Sequence, residues 1–306
     1  METLRILVTG GAGFIGSHLV KTLVHRGHNV KVLDNLSTGS LDNLIEVLDS
    51  IEFIKGDIRD YNLVEETIRG TDVVIHLAAL IDVAESIVKP DLYFDVNIKG
   101  TYNLVKASRD ISVFLFVSSS AVYGEQMKLP ISEDSPVNPK SPYAASKISG
   151  EAFVASFSDL YNYRPIIFRL FNVYGPKQSK AYAGVITEFL RRVSKGEAPV
   201  IFGDGTQSRD FVHVSDIVEA IILALENYKA KGIYNIGSGK AVTINELAEI
   251  ILKLMDREDL KPFHAPPRPG DIRYSMANIA KAMNELGFKP KVNLLKGLQG
   301  LIGGKF

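Results

Sequence analysis

The amino-acid sequence predicts an α/β fold, a doubly wound parallel sheet with a smaller C-terminal α/β lobe. Up to Leu170, apolar runs of strand length alternate with segments of helical period. A glycine-rich turn follows the first run, and beyond Leu170 shorter elements lie among loops rich in Gly and Pro. This alternation indicates parallel strands that are covered by helices on both faces of a sheet.

Length and composition narrow the class of protein. The 306 residues suffice for one large unit or for a domain with a smaller lobe. Lys and Arg together number 35, as do Asp and Glu, so the chain lacks the long-range field that gathers nucleic acid or an anionic membrane. The absence of cysteine excludes disulfides, thiolate metal sites and a cysteine nucleophile, and is typical of a reducing or a hot environment. With no signal-peptide pattern and no apolar stretch of span length, we expect a cytoplasmic protein without a nucleic-acid partner, a membrane partner or a metal.

The predicted elements follow one another in order along the chain. Buried strands are expected at residues 4–9, 30–34, 51–54, 73–77, 113–118 and 166–170. Helices are expected at residues 14–25, 63–69, 92–108, 144–161, 215–227 and 244–255. We therefore predict a first domain at residues 1–171 with return segments at about 211–236, and a second lobe at residues 172–210 and 237–306.

The glycine-rich turn joins the first predicted strand to the first predicted helix. Gly10, Gly13 and Gly16 allow a tight turn, close approach of a pyrophosphate to the backbone, and packing of the helix on the strand. At the helix start, Phe14 and Ile15 offer backbone N–H groups and the positive end of the helix dipole. An ordinary βα turn can carry the same glycines, but here the strand and helix on either side favour a Rossmann-type dinucleotide site.

Asp34 ends the second predicted strand, about 20 residues after the glycines. A carboxylate at that place accepts hydrogen bonds from the adenosine ribose and repels a 2′-phosphate, so we expect NAD rather than NADP. Asp57 and Ile58, after the third strand, are candidates for the adenine edge. Leu77-Ala78-Ala79, after the fourth strand, leaves room for the dinucleotide backbone.

Tyr143 and Lys147 lie one helical turn apart, which puts a phenol and an ammonium group on one face. Because a nearby cation stabilises phenolate, we expect Lys147 to lower the pKa of Tyr143 from about 10 and to prepare it for acid–base catalysis. Lys147 can also reach the nicotinamide ribose. A surface pair on an amphipathic helix would show the same spacing. Ser118-Ser119-Ser120 ends the fifth strand, where parallel sheets bind ligands, and this second feature favours catalysis.

Motifs along nearly the whole chain carry a resemblance to a known family. They are Gly10-x-x-Gly13-x-x-Gly16, Asp34-Asn35, Ser118-Ser119-Ser120-Ala121-Val122-Tyr123-Gly124, Tyr143-x-x-x-Lys147, Arg169-Leu170-Phe171-Asn172-Val173-Tyr174-Gly175 and Arg209-Asp210-Phe211-Val212-His213-Val214. In these motifs the chain resembles the extended short-chain dehydrogenase/reductase family. Within that family it most resembles the UDP-glucose and UDP-N-acetylglucosamine 4-epimerases.

The resemblance implies a redox-neutral mechanism on a UDP-linked sugar. Tyr143 takes the proton of the sugar 4-hydroxyl while the C4 hydride passes to a tightly held NAD, and Ser119 shares the hydrogen bond. The resulting 4-keto sugar turns over in the site, and the hydride returns to its other face. The resemblance also implies further cofactor contacts at Asn35, Ser37, Gly39, Asn97, Ser118 and Val173.

The resemblance assigns the nucleotide sugar to residues of the second lobe and the end of the fifth strand. They are Ser119, Ser120, Asn172, Val185, Ile186, Phe202, Arg209, Arg268, Asp271 and Ser275. A neutral protein that binds a diphosphate needs local guanidinium groups, which suits Arg209 and Arg268 as phosphate clamps, although a lone arginine is more often a solvated surface charge. We expect a Pro269-Gly270 turn to fix Arg268 relative to Asp271, which the resemblance assigns to the uridine ribose. We expect His213 to be a core or strand histidine.

Ser275 bears on the choice of sugar. Epimerases of this kind carry either a tyrosine or a small residue there, and a small residue leaves room for an N-acetyl group at C2. The segment Tyr182-Ala183-Gly184-Val185-Ile186 is also similar to that of N-acetyl-tolerant members. We therefore expect activity on UDP-glucose and UDP-galactose, with UDP-GlcNAc and UDP-GalNAc as further substrates.

Three alternatives remain open. A sugar-nucleotide 4,6-dehydratase needs acidic residues after its strand-5 hydroxyl, where this chain has Ser120 and Ala121. A UDP-glucuronate epimerase or decarboxylase is harder to distinguish from a UDP-hexose 4-epimerase. A non-catalytic NAD-binding regulatory protein would not need Ser119, Tyr143 and Lys147 together.

The resemblance also implies a homodimer, joined through a four-helix bundle of the helices predicted at residues 92–108 and 144–161.

Overall fold

A computed structural model describes residues 3–178, 184–267 and 272–304 of the chain. The strands are β1 (Arg5–Thr9), β2 (Asn29–Asp34), β3 (Ile51–Lys55), β4 (Val73–His76), β5 (Val113–Ser119), β6 (Arg164–Leu170), β7 (Asn172–Tyr174), β8 (Val200–Phe202), β9 (Ser208–His213), β10 (Gly232–Ile236), β11 (Ala241–Thr243) and β12 (Phe263–Ala265). The α-helices are α1 (Phe14–His25), α2 (Tyr61–Ile68), α3 (Val83–Val88), α4 (Pro90–Tyr93), α5 (Gly100–Ala107), α6 (Pro142–Tyr161), α7 (Val185–Ser194), α8 (Val214–Glu226), α9 (Ile244–Leu254) and α10 (Leu294–Gly303). Turns of 3₁₀-helix lie at Leu41–Ser50 and Ser120–Tyr123, and turns of π-helix at Phe94–Lys99 and Ala282–Leu286.

The chain forms two compact units. The first unit contains residues 1–122, 139–169 and 221–234, and the second contains residues 123–138, 170–220 and 235–306. The predicted assignment of residues 172–210 and 237–306 to a substrate lobe stays a prediction, because it concerns what those residues bind.

The main sheet confirms the predicted doubly wound α/β fold. Its seven strands have the order β10-β6-β5-β4-β1-β2-β3, and β1 pairs in parallel with both β2 and β4. The pairs β2–β3 and β4–β5 are also parallel. The direction of strand order therefore reverses at β1, which is the place where open α/β sheets bind ligands.

Apolar residues and local capping explain why these elements form. The strands β1, β4 and β5 are almost completely buried and apolar, as expected for a sheet that is covered on both faces. Helix α6 begins after Ser141, whose Oγ accepts the Ala144 N–H at 3.1 Å, and Pro142 occupies its first turn. It ends at Asn162, which has φ of 58° in the left-handed region.

The helix predicted at residues 92–108 is not one continuous α-helix. The structure divides it into α4, the π-helical turn Phe94–Lys99 and α5. Helical periodicity alone does not show one extra residue per turn, so the sequence pattern missed this irregularity. The π-turn contains Asn97, a predicted site residue.

The second unit has its own sheets and its own core. Strands β11, β9 and β7 form one small sheet, and β12 pairs in parallel with β8. Helices α7 and α9 bury apolar faces against β8, β9 and α10 in a separate hydrophobic cluster. Helix α7 and α10 were missing from the sequence prediction. In the part of the chain that the structure describes, no helix is both long enough and apolar enough to cross a membrane.

Candidate active site

The glycine-rich turn lies at the carboxyl end of β1, where the strand order reverses. Gly10 has φ of +69°, and a Cβ at that position would lie 2.7 Å from the Ala78 backbone N. A Cβ at Gly16 would lie 2.1 Å from the Gly10 carbonyl oxygen. Gly13, the N-cap of α1, has no side chain that could cover the N–H groups of Phe14 and Ile15. The turn therefore has the backbone geometry that a pyrophosphate requires.

Asp34 lies beside this turn at the end of β2. Its carboxylate accepts the Ala12 N–H at 3.0 Å and the Leu36 N–H at 2.8 Å. Burial raises the pKa of Asp34, and the two backbone hydrogen bonds oppose that change. The Ser40 N–H donates to the Ala12 carbonyl at 3.1 Å, and a Cβ at Gly39 would lie 2.8 Å from the Ala12 backbone. Asp34 and the loop after it thus hold the glycine turn and form a cradle with an acidic group, which fits the adenosine half of NAD.

Asp57 and Asn35 lie together at the ends of β3 and β2. Asp57 Oδ2 accepts Asn35 Nδ2 at 2.9 Å and Arg59 Nη2 at 2.8 Å. The Arg59 guanidinium holds the pKa of Asp57 far below its usual range. The Ser37 N–H donates to Asn35 Oδ1 at 2.9 Å. The Ile58 side chain is buried in the core of the first unit, so only its backbone remains for the predicted adenine contact.

Asn97 supports the loop that follows β4. Its Oδ1 accepts the Leu80 N–H at 2.9 Å, and its Nδ2 donates to the Leu80 carbonyl at 2.9 Å and to Ser146 Oγ at 3.0 Å. The side chain is 2 % exposed. Asn97 therefore fixes Leu80, directly after Leu77-Ala78-Ala79, and its own contact with a cofactor stays a prediction.

Tyr143 and Ser119 lie near each other in the first unit. Tyr143 is buried at the start of α6, and the Ser119 hydroxyl at the end of β5 lies near enough to lower the pKa of the phenol. Ser119 Oγ also accepts the Ala121 N–H at 3.2 Å. The Tyr93 ring meets the Tyr143 ring edge-on, with centroids 6.5 Å apart. The phenol is thus held between an aromatic wall and a hydroxyl that can share its proton.

The expectation that Lys147 lowers the pKa of Tyr143 is wrong for this structure. Burial raises the pKa of Tyr143, and the hydrogen bond with Ser119 opposes that change. The Lys147 ammonium group instead donates to the Val117 carbonyl at 2.9 Å and lies 5.1 Å from the centre of the Phe116 ring. Helical spacing puts the two side chains on one face, but the strand carbonyl determines the direction of the ammonium group. Burial also lowers the pKa of Lys147 to about 8.

A buried ion pair, which the sequence reading missed as a functional feature, lies behind Lys147. Arg169 Nε donates to Glu151 Oε1 at 2.9 Å, and Arg169 Nη2 to Glu151 Oε2 at 2.6 Å. Ser118 Oγ donates to Glu151 Oε1 at 2.5 Å. Ser118 therefore contacts the ion pair, whereas Ser119 lies near Tyr143. Glu151 stands four residues after Lys147 on α6, and this spacing was the available signal.

The predicted nucleotide-sugar residues of the second unit lie on and around its small sheets. Asn172 and Val173 belong to β7, Phe202 ends β8, and Arg209 lies on β9. Arg209 Nη1 donates to the Ser208 carbonyl at 2.8 Å. The Ser275 N–H donates to the same carbonyl at 3.2 Å, and Ser275 is 6 % exposed. The Ser208 carbonyl therefore accepts hydrogen bonds from both Arg209 and Ser275.

Asp210, next to Arg209, is completely buried and anchors this region. Its carboxylate accepts four hydrogen bonds, from Ser238 N and Oγ, Gly239 N and Ala277 N. His213 Nδ1 pairs with Ser215 Oγ at 2.7 Å, and its ring packs on Tyr174, which agrees with a strand histidine.

The remaining predicted ligand residues of the second unit lie either at the start of α7 or outside the described residues. Val185 and Ile186 begin α7, and the Ile186 side chain is 2 % exposed within the core of the second unit. Its contact with a ligand would therefore use the backbone. Arg268 and Asp271, with Tyr182 and Ala183 of the N-acetyl-tolerant segment, lie outside the described residues.

Comparison with known proteins identifies relatives along the whole chain. Residues 6–237 match the model of the NAD dependent epimerase/dehydratase family. The UDP-glucose 4-epimerase of Mycolicibacterium smegmatis is 40 % identical over 302 residues, which cover 96 % of each chain.

Two solved structures share the fold. The UDP-glucose 4-epimerase of Thermotoga maritima, determined with UDP-glucose, has a TM-score of 0.92 and 38 % identity, and the match covers 97 % of this chain and 96 % of that one. The UDP-N-acetylglucosamine 4-epimerase of Methanobrevibacter ruminantium, in complex with UDP-N-acetylmuramic acid, also has a TM-score of 0.92 and 38 % identity, and the match covers 99 % and 100 % of the two chains.

Proposed function

The chain belongs to the NAD-dependent epimerase/dehydratase family, and from this membership we propose that it interconverts UDP-hexoses that differ in configuration at C4. Its cofactor is NAD. The observation that carries the proposal is the buried Tyr143 phenol beside the Ser119 hydroxyl at the carboxyl end of the sheet. A hydroxyl pair of this kind can hold and return the proton of a sugar hydroxyl.

The residues of the first unit have separate roles in the proposed reaction. Gly10, Gly13 and Gly16 would hold the pyrophosphate of NAD, and Asp34 the adenosine ribose. When bound, NAD supplies the hydride acceptor and donor for C4 of the sugar. Tyr143 takes the proton of the 4-hydroxyl and returns it, while Ser119 stabilises the charge on the phenol oxygen through its hydrogen bond. The wall formed by Tyr93 excludes water from the phenol.

The residues after Ser119 favour epimerisation over 4,6-dehydration. Elimination of water from C5 and C6 needs acid and base groups next to the strand-5 hydroxyl, and this chain has Ser120 and Ala121 there. UDP-glucuronate epimerisation or decarboxylation is the second candidate, because it uses the same oxidation at C4.

The direct test is incubation with a single sugar nucleotide and no added electron acceptor. UDP-galactose and UDP-GalNAc are supplied separately, and the products are separated by chromatography and identified by NMR. We expect conversion of UDP-galactose to UDP-glucose. A 4-keto-6-deoxy product would instead establish a dehydratase, and turnover of UDP-glucuronate alone would establish the second candidate. No turnover of any sugar nucleotide would favour an NAD-binding regulatory protein.

The small side chain of Ser275 supports activity on N-acetylated substrates as well. A bulky residue at this buried position would occupy the space that a 2-acetamido group needs. We expect Ser275→Tyr to lower the rate on UDP-GalNAc at least ~10-fold more than the rate on UDP-galactose, equivalent to about 1.4 kcal/mol of steric exclusion. Failure of the unaltered protein to convert either N-acetylated substrate would remove this part of the proposal.

An exposed aromatic face supports the proposed homodimer. On α5 and α6, Tyr102 packs edge-on against Phe153 and Phe157, with ring centroids 5.5 and 6.0 Å away. Phe94 and Leu160 are 57 % and 68 % exposed. Two copies of this face would bury these side chains in a four-helix bundle. Light scattering should give about twice the chain mass of 33.6 kDa, and a monomeric mass would contradict the proposal.

A further inference from the structure

Three buried charges lie in the first unit, and two of them stand one helical turn apart on α6. Lys147, Glu151 and Arg169 are 4 %, 6 % and 4 % exposed. Arg169 holds Glu151 through both carboxylate oxygens, and the Ser118 hydroxyl holds it from the end of β5. Gly150 allows this arrangement, because a Cβ there would lie 2.5 Å from the Phe116 ring, so α6 lies directly on β5. The carboxylate is therefore fixed from two strands and cannot rotate towards water.

We propose that Glu151 is a positioning residue that keeps the Lys147 ammonium group charged where it donates to the Val117 carbonyl at the end of β5. An ammonium group withdrawn from water tends to lose its proton, and an anion nearby opposes this. Glu151 is the anion of this group, and its attraction favours the charged form of Lys147. Arg169 and Ser118 in turn hold the Glu151 carboxylate in place.

The groups that face Lys147 from the other elements do not replace Glu151. From β4 comes His76, whose pKa burial lowers to about 3, so it is uncharged at neutral pH. From β5 come the Val117 carbonyl and the Phe116 ring, and from α6 itself the Tyr143 phenol. Arg169, on β6, is cationic. Loss of Glu151 would remove the anion whose charge raises the pKa of Lys147.

This inference deepens the proposed function, but its first test needs no substrate. In the NAD-loaded protein labelled with ¹³Cε-lysine, the Lys147 resonance is assigned by its loss in Lys147→Arg and followed as the pH is raised. The unaltered protein should titrate near pH 8. Glu151→Gln should lower this midpoint by about one unit or more. Glu151→Asp, which keeps the charge, should recover at least half of the shift.

Two further variants separate positioning from simple stability. Because Glu151→Gln removes the carboxylate that pairs with Arg169 and can impair folding, Glu151→Gln combined with Arg169→Met removes both charges, and its Lys147 midpoint should also fall. Asp159→Asn, at an exposed position on the same helix, should leave the midpoint unchanged. An unchanged Lys147 midpoint in the folded double variant would overturn the proposal and leave Glu151 a structural residue only.

The second readout is the pH profile of the activity. If the chain is an epimerase, the pH midpoint of kcat in Glu151→Gln should move in the same direction as the Lys147 titration. A shifted titration in a protein that converts no sugar nucleotide would support the inference about Glu151 and reject the proposed function. Failure of the inference about Glu151 can therefore be distinguished from failure of the proposed function.

Discussion

At the scale of single residues, burial and hydrogen bonding act on Tyr143 in opposite directions. Withdrawal from water raises the pKa of the phenol, and the Ser119 hydroxyl lowers it. The Lys147 ammonium group is directed to the Val117 carbonyl. A buried phenol that stays protonated at rest is suited to returning a proton, and Ser119 provides the stabilisation needed when it takes one.

Tyr143→Phe removes the proposed acid–base group and leaves the ring that packs on Tyr93. We expect kcat for UDP-galactose epimerisation to fall by about 10²- to 10⁴-fold, the usual contribution of a positioned proton-transfer group. The temperature of unfolding should change little, and NAD should still bind. Tyr228→Phe, at a position 78 % exposed, is the matched control and should keep full activity. Retention of more than a tenth of the activity in Tyr143→Phe would assign the proton transfer to another group.

Asp34→Ala tests the acidic end of the cofactor cradle. The change leaves the Ala12 and Leu36 N–H groups without their acceptor and removes the group proposed to bind the ribose. Loss of these interactions should weaken NAD binding by about 10- to 100-fold, equivalent to about 1.4–3 kcal/mol. Isothermal titration of the NAD-free protein measures the affinity. The exposed Asp49→Ala on the neighbouring 3₁₀-helix is the control, and an equal loss in both variants would refute a specific role for Asp34.

At the scale of elements, the first unit was largely predictable because its central strands β1, β4 and β5 are buried and mostly apolar. The helix Phe14–His25 begins and ends where the pattern placed it, and strand β5 differs by one residue at its end. The π-turn Phe94–Lys99 was not predictable, because its hydrophobic spacing is that of an α-helix. The small strands of the second unit, such as Val200–Phe202, are too short to show a period.

The site residues, too, were predictable only where the sequence carries a local signal. Glycines and the Tyr143–Lys147 spacing are local signals, so the sequence showed them. The Arg169–Glu151 ion pair joins residues on different elements, and the direction of the Lys147 ammonium group depends on a strand carbonyl. Contacts of this kind arise only from packing, which a single sequence does not display.

Gly150→Ala tests how closely helix α6 approaches strand β5. The added methyl group would lie 2.5 Å from the Phe116 ring, so either the ring or the helix must move. We expect the free energy of unfolding to fall by about 1–3 kcal/mol, as in other overpacked cores. Urea denaturation followed by circular dichroism measures it. Gly300→Ala on α10 is the matched control, because a Cβ there meets no atom within 4 Å, and it should instead gain up to about 1 kcal/mol. The same sign in both variants would contradict this explanation.

At the scale of the whole molecule, a buried neutral histidine links stability to pH. His76 lies at the end of β4, where Nδ1 pairs with Thr9 Oγ1 at 2.7 Å and Nε2 with Thr101 Oγ1 at 2.9 Å. The side chain is 1 % exposed, and burial lowers its pKa from 6.5 to about 3. His76 therefore connects the strand that precedes the glycine turn to helix α5 in its uncharged form.

The sign of the resulting pH dependence follows from proton binding. Between pH 6.5 and about 3, the unfolded chain binds a proton at His76 that the folded chain does not bind, so the free energy of unfolding falls as the pH falls. At pH 5 the loss that His76 contributes should be about 2 kcal/mol, and above pH 6.5 it should vanish. His76→Gln cannot bind this proton, so its stability should be lower at pH 7 but should decline less between pH 7 and pH 5. Urea denaturation at pH 5, 6 and 7 measures the slopes, and the exposed His25→Gln variant should keep the slope of the unaltered protein. If His76→Gln kept that slope as well, groups other than His76 would have to account for the loss of stability in acid.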